Sequence, residues 1–451
     1  MAPKKSTPKK SDAAFNWFSG LARSDDRPNR IEFTVRGLHA SVVNALRRAC
    51  LAEVPNAAID SWDPERADDS TVVFRENTSS LHNEFLASRL ALVPIHFSEA
   101  ELVEFANYPR RYAFLIDVEN ASPEAMDVTS EHIRVLDEGR NDFPKAVRDA
   151  LFPPDPLTKD HVLIARLAGR EHKDAPKQKL AVEFRASMGT AKAHAKYSTV
   201  STCTFFNKVD PKILEAELKA AYDGLQDPKP TLEQFRRRFM TLEAQRCYEK
   251  NAYGEAVEFV FRLESECKLR PEYILFKAFA ILIDKVKTLA SDLENKREAR
   301  VRLTGQDGGG GGASTAYVEV HVKGEDHTLG NLLQAHAHAT LVRPQDIQRR
   351  LTYVGYHQPH PLDDLIVFKL AGDSISVEET AAVLREAAAD LARHLAAAAV
   401  EWVAFSGLAG IAEVDSFVAA SAKATAAAAA KPKKAPAKAP KKKESADSAI
   451  V

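Results

Sequence analysis

The residues of this 451-residue chain that could do chemistry are few, and their spacing works against it. His82-Asn83-Glu84 has the His-x-Glu arrangement of zinc deaminases, but the Pro-Cys-x-x-Cys that completes such a site is missing. His336 and His338 stand two apart, so on a helix they face different directions and make a poor metal pair. Asp326 beside His327 suggests an acid–base pair. A helix begins there, however, and Asp326 or Thr328 would cap its free backbone N–H groups. No two of Cys50, Cys203, Cys247 and Cys267 lie within four residues of each other, so zinc-ribbon and Cys-x-x-Cys spacings are excluded. Cys50 and Cys267 sit in apolar or strand-like surroundings and read as buried free thiols of a reducing compartment. Gly308–Gly312 is not followed by Lys-Ser/Thr and cannot form a phosphate loop, and no Gly-x-Ser-x-Gly occurs. The expectation is a chain with no catalytic site of its own, no metal and no cofactor.

The elements that carry these residues divide unevenly by charge. Net charge is −1, yet residues 1–10 hold four lysines and 418–443 eight, with no acid in either. Setting those aside leaves about −13 on the remainder, a poor DNA-binding surface. Residues 1–28 and 419–451, rich in Lys, Ala, Pro and Ser, read as disordered basic tails. Their Lys-Pro runs fit nuclear import, nonspecific nucleic-acid contact or plain solubilisation equally well. The N-terminus has no apolar stretch after its lysines and does not look like a secretory signal. No apolar run reaches the roughly 18–20 residues of a membrane span, so no membrane partner is expected. Residues 298–314 read as a Gly-rich linker; from Arg302 to Thr315 it could stretch to roughly 40 Å.

The two sides of that linker resemble each other. Ile31-Glu-Phe-Thr-Val-Arg-Gly37 and Val318-Glu-Val-His-Val-Lys-Gly324 both alternate apolar and polar residues, as half-buried strands do. At a constant offset of 287, Ser41 falls on Thr328, Val42 on Leu329, Asn44 on Asn331 and Leu46 on Leu333. Each strand thus runs through a glycine turn into a helix opened by a Ser or Thr cap. Each half also ends in a longer helix with an apolar seam. On the left it is Leu275, Phe279, Leu282, Val286, Leu289 and Leu293; on the right Val377, Ala381, Leu384, Ala388, Leu391 and Leu395. Spacings of 4 and 3 make this a narrow seam rather than a broad stripe. Either the seams pack against each other as a pseudo-symmetric pair, or each covers its own sheet.

Six ordered motifs then become recognisable. Asn44-Ala-Leu-Arg-Arg48 with Ala52-Glu-Val-Pro55 and Ala58-Ile-Asp60, the run Asn77–Ile95, Val128–Ile133 and Ala193–Ser198 resemble the third-largest subunit of eukaryotic RNA polymerase II. The archaeal D subunit and the bacterial alpha-subunit N-terminal domain share this pattern. Glu325–Leu333 and Val354–Leu362 resemble the smaller partner, of archaeal L or eleventh eukaryotic subunit type. The resemblance covers residues 29–297 and 315–395.

It implies an α+β fold with two alpha-N-terminal-like dimerisation domains, pairing through helices as an intramolecular pseudo-heterodimer. The first would comprise 29–97 plus 178–297 with an inserted α+β domain at 98–177; the second would span 315–400, its hairpin at Leu351–Tyr356 and Leu365–Leu370. Leu46, Leu275, Phe279, Leu282, Val286, Leu289, Leu329, Leu333, Leu384, Leu391 and Leu395 would line the dimer interface. The implied function is a non-catalytic assembly scaffold of a DNA-directed RNA polymerase. Its partners would be the largest, second-largest and other small subunits, with DNA reached through the complex or directly by the tails.

Asn44, Arg47, Arg48, Glu84, Arg89 and Lys196 are the implied large-subunit contacts, guanidinium being suited to bidentate carboxylate pairing. The plainer reading of Arg47 and Arg48 is a solvated helix edge. Similar fusions occur in large DNA viruses, which implies action in the nucleus or a cytoplasmic viral factory, and packaging in the virion.

Two departures stand out. Many family members carry zinc or an iron–sulfur cluster near the inserted domain, whereas 98–177 contains no cysteine. Residues 207–250 and 401–418 match no motif. The rival reading is a stand-alone chromatin-like protein acting through its basic tails, which predicts a basic rather than an acidic body.

Overall fold

The computed structural model describes residues 17–24, 27–60, 72–170, 172, 176–226, 228–295, 300–306, 317–343, 351–372 and 376–430. Residues 1–16 and 431–451 of the expected tails, and Gly308–Gly312, lie outside the described residues.

The chain begins with strands β1 (Phe18–Arg23) and β2 (Arg30–Arg36), helix α1 (Ala40–Ala52), strands β3 (Asn56–Ile59) and β4 (Val72–Asn77), and helices α2 (Asn83–Ala91) and α3 (Glu99–Asn107). There follow β5 (Ala113–Asn120), β6 (Met126–Thr129), β7 (Arg134–Leu136), α4 (Lys145–Leu151), β8 (Leu163–Leu167), β9 (Gln178–Phe184) and β10 (Ala186–Gly189). The first half closes with β11 (Val200–Asn207), α5 (Pro211–Asp223), α6 (Leu232–Leu242), β12 (Glu258–Ser265) and α7 (Pro271–Glu294). The second half holds β13 (Val301–Gln306), β14 (Tyr317–Lys323), α8 (His327–Ala337), β15 (Tyr353–His357), β16 (Leu365–Ala371), α9 (Val377–Ser406) and α10 (Ala412–Ala430).

Two four-stranded antiparallel sheets carry the repeat, in the orders β1-β2-β12-β11 and β13-β14-β16-β15. β2 and β14 are 287 positions apart from first residue to last. Ile31, Phe33 and Val35 on one, and Val318, Val320 and Val322 on the other, point into the core with the period of two that a pleated strand imposes. Both strands end on a glycine of positive φ, Gly37 at +79° and Gly324 at +78°. Side chains avoid that backbone region, which explains the glycine at both turns. A third sheet, β4-β9-β5-β7, and a β6–β8 ribbon are built from residues 72–184, so strands β4 and β9 outside the expected 98–177 insertion pair with those inside it.

Three expectations give way to the structure, and two unassigned segments acquire one. The tail drawn over 1–28 contains β1, which pairs with β2 through a bulge at Gly20 (φ +64°). Its partners are distant in sequence: Trp17 N and Phe18 N donate to Glu401 Oε1 at 2.5 and 3.3 Å, 384 and 383 positions away. The linker drawn over 298–314 contains β13, which pairs with β14 from Val301↔Val322 to Gln306↔Tyr317. The glycine run therefore connects two strands of one hairpin. The halves are joined instead through 296–299, between α7 and β13. The unassigned 401–418 finishes α9 and begins α10, with Gly407 as a left-handed C-cap at φ +69°. The basic tail drawn from 419 is helical as far as Ala430. Residues 207–250 fold as the α5–α6 pair around a small core of its own: Leu214, Leu218, Phe239, Ala244 and Cys247.

The α9–α10 corner is anchored by aromatic packing. Trp402 is fully buried, with its ring centroid 5.2 Å from that of Phe18 and 4.6 Å from that of Phe33, and its Nε1 donates to Glu272 O at 2.9 Å. Phe417 on α10 meets Phe276 edge-on at 5.3 Å, while Glu413 accepts from Tyr273 Oη at 2.9 Å and Lys277 Nζ at 2.5 Å. Truncating Trp402→Ala removes a large buried ring and a hydrogen bond, and is expected to cost about 3–5 kcal/mol, read as an earlier urea-unfolding midpoint.

Candidate functional site

The expected interface residues meet along two helix contacts, α7 against α9 and α1 against α8. Each helix thus packs on its counterpart in the other half. Leu275, Phe279, Leu282, Val286 and Leu289 are buried on α7, as are Leu384, Leu391 and Leu395 on α9. Leu46 of α1 and Leu329 and Leu333 of α8 are buried as well. The buried face of α7 is broader than the narrow seam expected, because Ile274, Phe276, Ala278 and Ile283 are also covered. The helix is enclosed by its own half, α1 and β12, as well as by α8 and α9.

Charges cross the same boundary. Lys285 Nζ on α7 lies 3.0 Å from Glu53 Oε2 and 3.1 Å from Glu325 Oε2, and Arg300 bridges Glu325 Oε1 (2.7 Å) to Asp292 Oδ2 (3.2 Å). The Glu325 side chain is 3% exposed and that of Asp292 1%. Burial pulls the Lys285 ammonium down, but attraction to Glu325 and Glu53 outweighs it and holds the group above its ordinary value. The sequence reading missed this cluster. Its signal was Lys285 and Asp292, two charges seven residues apart on one face of an otherwise apolar helix.

The helix caps differ in detail from the expectation. Asp326 is the N-cap of α8, accepting from Thr328 N at 2.8 Å, and His39 occupies the same place on α1, accepting from Ser41 N at 3.1 Å. Thr328 and Ser41 receive the cap rather than supply it. The Thr328 hydroxyl is occupied elsewhere: Arg48 Nε donates to it at 2.9 Å, with Arg48 Nη2 3.8 Å from Asp326 Oδ2. Burial alone would raise the Asp326 carboxyl, yet its hydrogen bonds with Thr328 and the nearby Lys192 and Lys285 hold it below the ordinary value.

The six expected docking residues therefore separate. Arg48 is engaged by the second half, contrary to a role as a free surface group. Lys196 is also a correction: its side chain is 3% exposed, with Nζ 3.9 Å from Asp60 Oδ1 and 4.9 Å from the Tyr197 ring centre. Arg89 stays at the surface but spends its guanidinium on the carbonyls of Leu163 and Ile164, both at 2.7 Å. Asn44 accepts from Arg47 Nε at 3.0 Å, and among the described residues no carboxylate pairs with Arg47. Glu84 is exposed, with no ion pair among the described residues. Beside it stand Phe85 and Leu92, each 62% exposed, which the sequence reading overlooked. Their signal was an excess of apolar residues on α2, since Leu86 and Leu90 already fill its buried face. No hydrogen bond or ion pair joins Arg47 to α2 among the described residues.

The family profile described as the RNA polymerase Rpb3/Rpb11 dimerisation domain matches residues 32–286, and a second profile of the same description matches 317–399. The chain belongs to the Rpb3/Rpb11 dimerisation-domain family. It carries two such domains in tandem. Subunit RPAC1 of DNA-directed RNA polymerases I and III from Bos taurus is 26% identical over 302 residues, 59% of this chain and 82% of that protein. Subunit Rpo3 from Methanothermobacter thermautotrophicus is 24% identical over 61% of this chain and 98% of its own length. RNA polymerase II subunit RPB3 of Schizosaccharomyces pombe is 24% identical over 60% and 86%.

One further contact joins the two Rpb3/Rpb11-type halves. Arg343 pairs with Glu255 and lies 4.2 Å over the Tyr253 ring, and Glu255 also accepts from Asn251 Nδ2 at 2.9 Å. The Arg343 hydrogen bond holds the Glu255 carboxyl down at about 2. A carboxylate depressed in the fold contributes stability above its unfolded value of about 4.3, and that stability is lost as pH falls toward 2. With partial exposure the contribution is roughly 1 kcal/mol. Glu255→Gln is expected to lower stability by that amount at neutral pH and to flatten the acid limb between pH about 4.5 and 2, measured by urea unfolding across pH.

Proposed function

We propose that this chain is a non-catalytic assembly platform of a DNA-directed RNA polymerase, carrying in one polypeptide two dimerisation partners that pair as an intramolecular pseudo-heterodimer. The observation that carries the reading is the double four-stranded sheet with identical strand order, held together by like-with-like helix contacts. The short connection at 296–299 keeps the partners at high effective concentration, so pairing needs no second chain. The platform docks the largest and second-largest subunits and meets DNA through the complex. As in fused subunits of large DNA viruses, it acts in a viral polymerase, in the nucleus or a cytoplasmic factory.

Within this reading, the docking contacts are Arg47, which pairs with no carboxylate among the described residues, and the exposed Glu84, Phe85 and Leu92. An exposed apolar pair beside a charge is the composition of an interface core with its polar rim. The test is co-expression of the full chain with the two largest subunits of its source, followed by native mass determination. One copy of the chain per complex is expected. Arg47→Ala should weaken the complex by about tenfold or more without changing the melting temperature. Arg48→Ala should lower the melting temperature first, because it unties α1 from α8. A chain that stays alone, or captures only DNA through its tails, overturns the assembly reading.

A further inference from the structure

His336 has a partner that its spacing from His338 concealed. It lies in the last turn of α8, where the chain opens into a π-helical turn, His338–Val342, a wide turn that recurs beside functional sites. Its Nε2 is 3.0 Å from Asp390 Oδ2 on α9. His394, one turn further along α9, places Nδ1 3.4 Å from the same oxygen, and the two imidazole centres are 5.5 Å apart. One ligand atom from each residue falls within 4.8 Å of the other two.

The geometry points to a zinc site: His336, Asp390 and His394 form a three-ligand clip for a divalent ion of the zinc class, tying the end of α8 to α9. A tetrahedral zinc with N and O ligands near 2.0–2.1 Å has ligand–ligand edges of about 3.3 Å. The two edges to Asp390 Oδ2, 3.0 and 3.4 Å, already have that length. The third closes by a swing of at most about 1.5 Å. His394, whose side chain is 61% exposed, makes it by giving up the 3.2 Å contact of its Nδ1 with Asp390 O. Asp390 and His394 are four residues apart on one helix face, the spacing that lets one helix supply two ligands.

Two imidazoles and a carboxylate suit zinc and cobalt rather than the hard oxygen-seeking cations. Solvent at His394 supplies the fourth ligand. Arg393 Nη2 binds the other oxygen, Asp390 Oδ1, at 2.7 Å, and so orients the carboxylate with Oδ2 toward the rings. The metal-free alternative is a hydrogen-bonded His–Asp–His chain.

The untagged full chain, stripped by chelator, is titrated with Co²⁺ and then back-titrated with Zn²⁺. Expected are one equivalent bound, the visible absorption of four-coordinate cobalt, and a zinc-induced rise in melting temperature of about 2 °C or more. His394→Ala changes an exposed side chain and should fold; Asp390→Asn keeps the shape of the carboxylate. Each should weaken binding about tenfold or more and abolish the zinc-induced rise. Equal binding by parent and variants, no visible band, or a thiolate-to-cobalt band would overturn the proposal. The assay uses the isolated chain, so its failure leaves the assembly reading untouched.

Discussion

α7 and α9 each present more apolar surface than the four-stranded sheet of their own half can cover, and the rest of the fold follows from that excess. Each large seam side chain is worth roughly 1.5–3 kcal/mol when buried, as an upper estimate. Two exposed seams would be an aggregation hazard. Packing α7 on α9 removes both faces from water at once, and the same approach sets α1 against α8. A single core then runs through both halves, from Ile31 and Phe33 to Ile366 and Phe368.

Apolar seams alone tolerate sliding, because one heptad looks much like the next. The buried charges forbid it. Lys285 has one carboxylate from each half, Glu53 and Glu325, and Arg300 ties Glu325 back to Asp292. A one-turn slip of α7 would move Lys285 by about 5.4 Å and strand these acids in the core. Such a cluster adds little net stability over apolar replacements of the same shape, but breaking it is costly, so it selects one register. Arg48 acts in the same sense at the other contact, where it reads the Asp326–Thr328 cap and ties the start of α8 to α1.

The repeat was legible because it is written in local patterns: alternating strands, a turn glycine at both Gly37 and Gly324, and heptad seams. What was not legible is non-local. β1 and β13 occupy the same edge position in their two sheets, and both were hidden in segments set aside as tail and linker. Each is six residues long, interrupted by a glycine (Gly20, Gly305) and held by partners far along the chain or across a hairpin. Likewise, Asp390–His394 is visible in the sequence as a helix pair, but nothing in it places His336 opposite. Three of the expected docking residues, Arg48, Arg89 and Lys196, turn out to have partners within the chain itself, for a related reason. Motif resemblance marks which residues matter to a family, while only packing tells whether a charge faces a partner or the protein's own backbone.

That distinction changes which residues carry the outward chemistry. Arg89 and Lys196 both bind within the chain: Arg89, still at the surface, closes the β8 edge through two carbonyls, and the Lys196 side chain lies buried against Asp60. A buried lysine at 3.9 Å from its carboxylate is held by its surroundings, and moving it outward to meet a second protein would leave Asp60 without that cation. Phe85 and Leu92 stand in the opposite situation. Each is well exposed on or just past α2, while Leu86 and Leu90 anchor the helix to the core. Covering them would gain hydrophobic free energy, and on that ground the proposed docking rests on them more than on the charges around them.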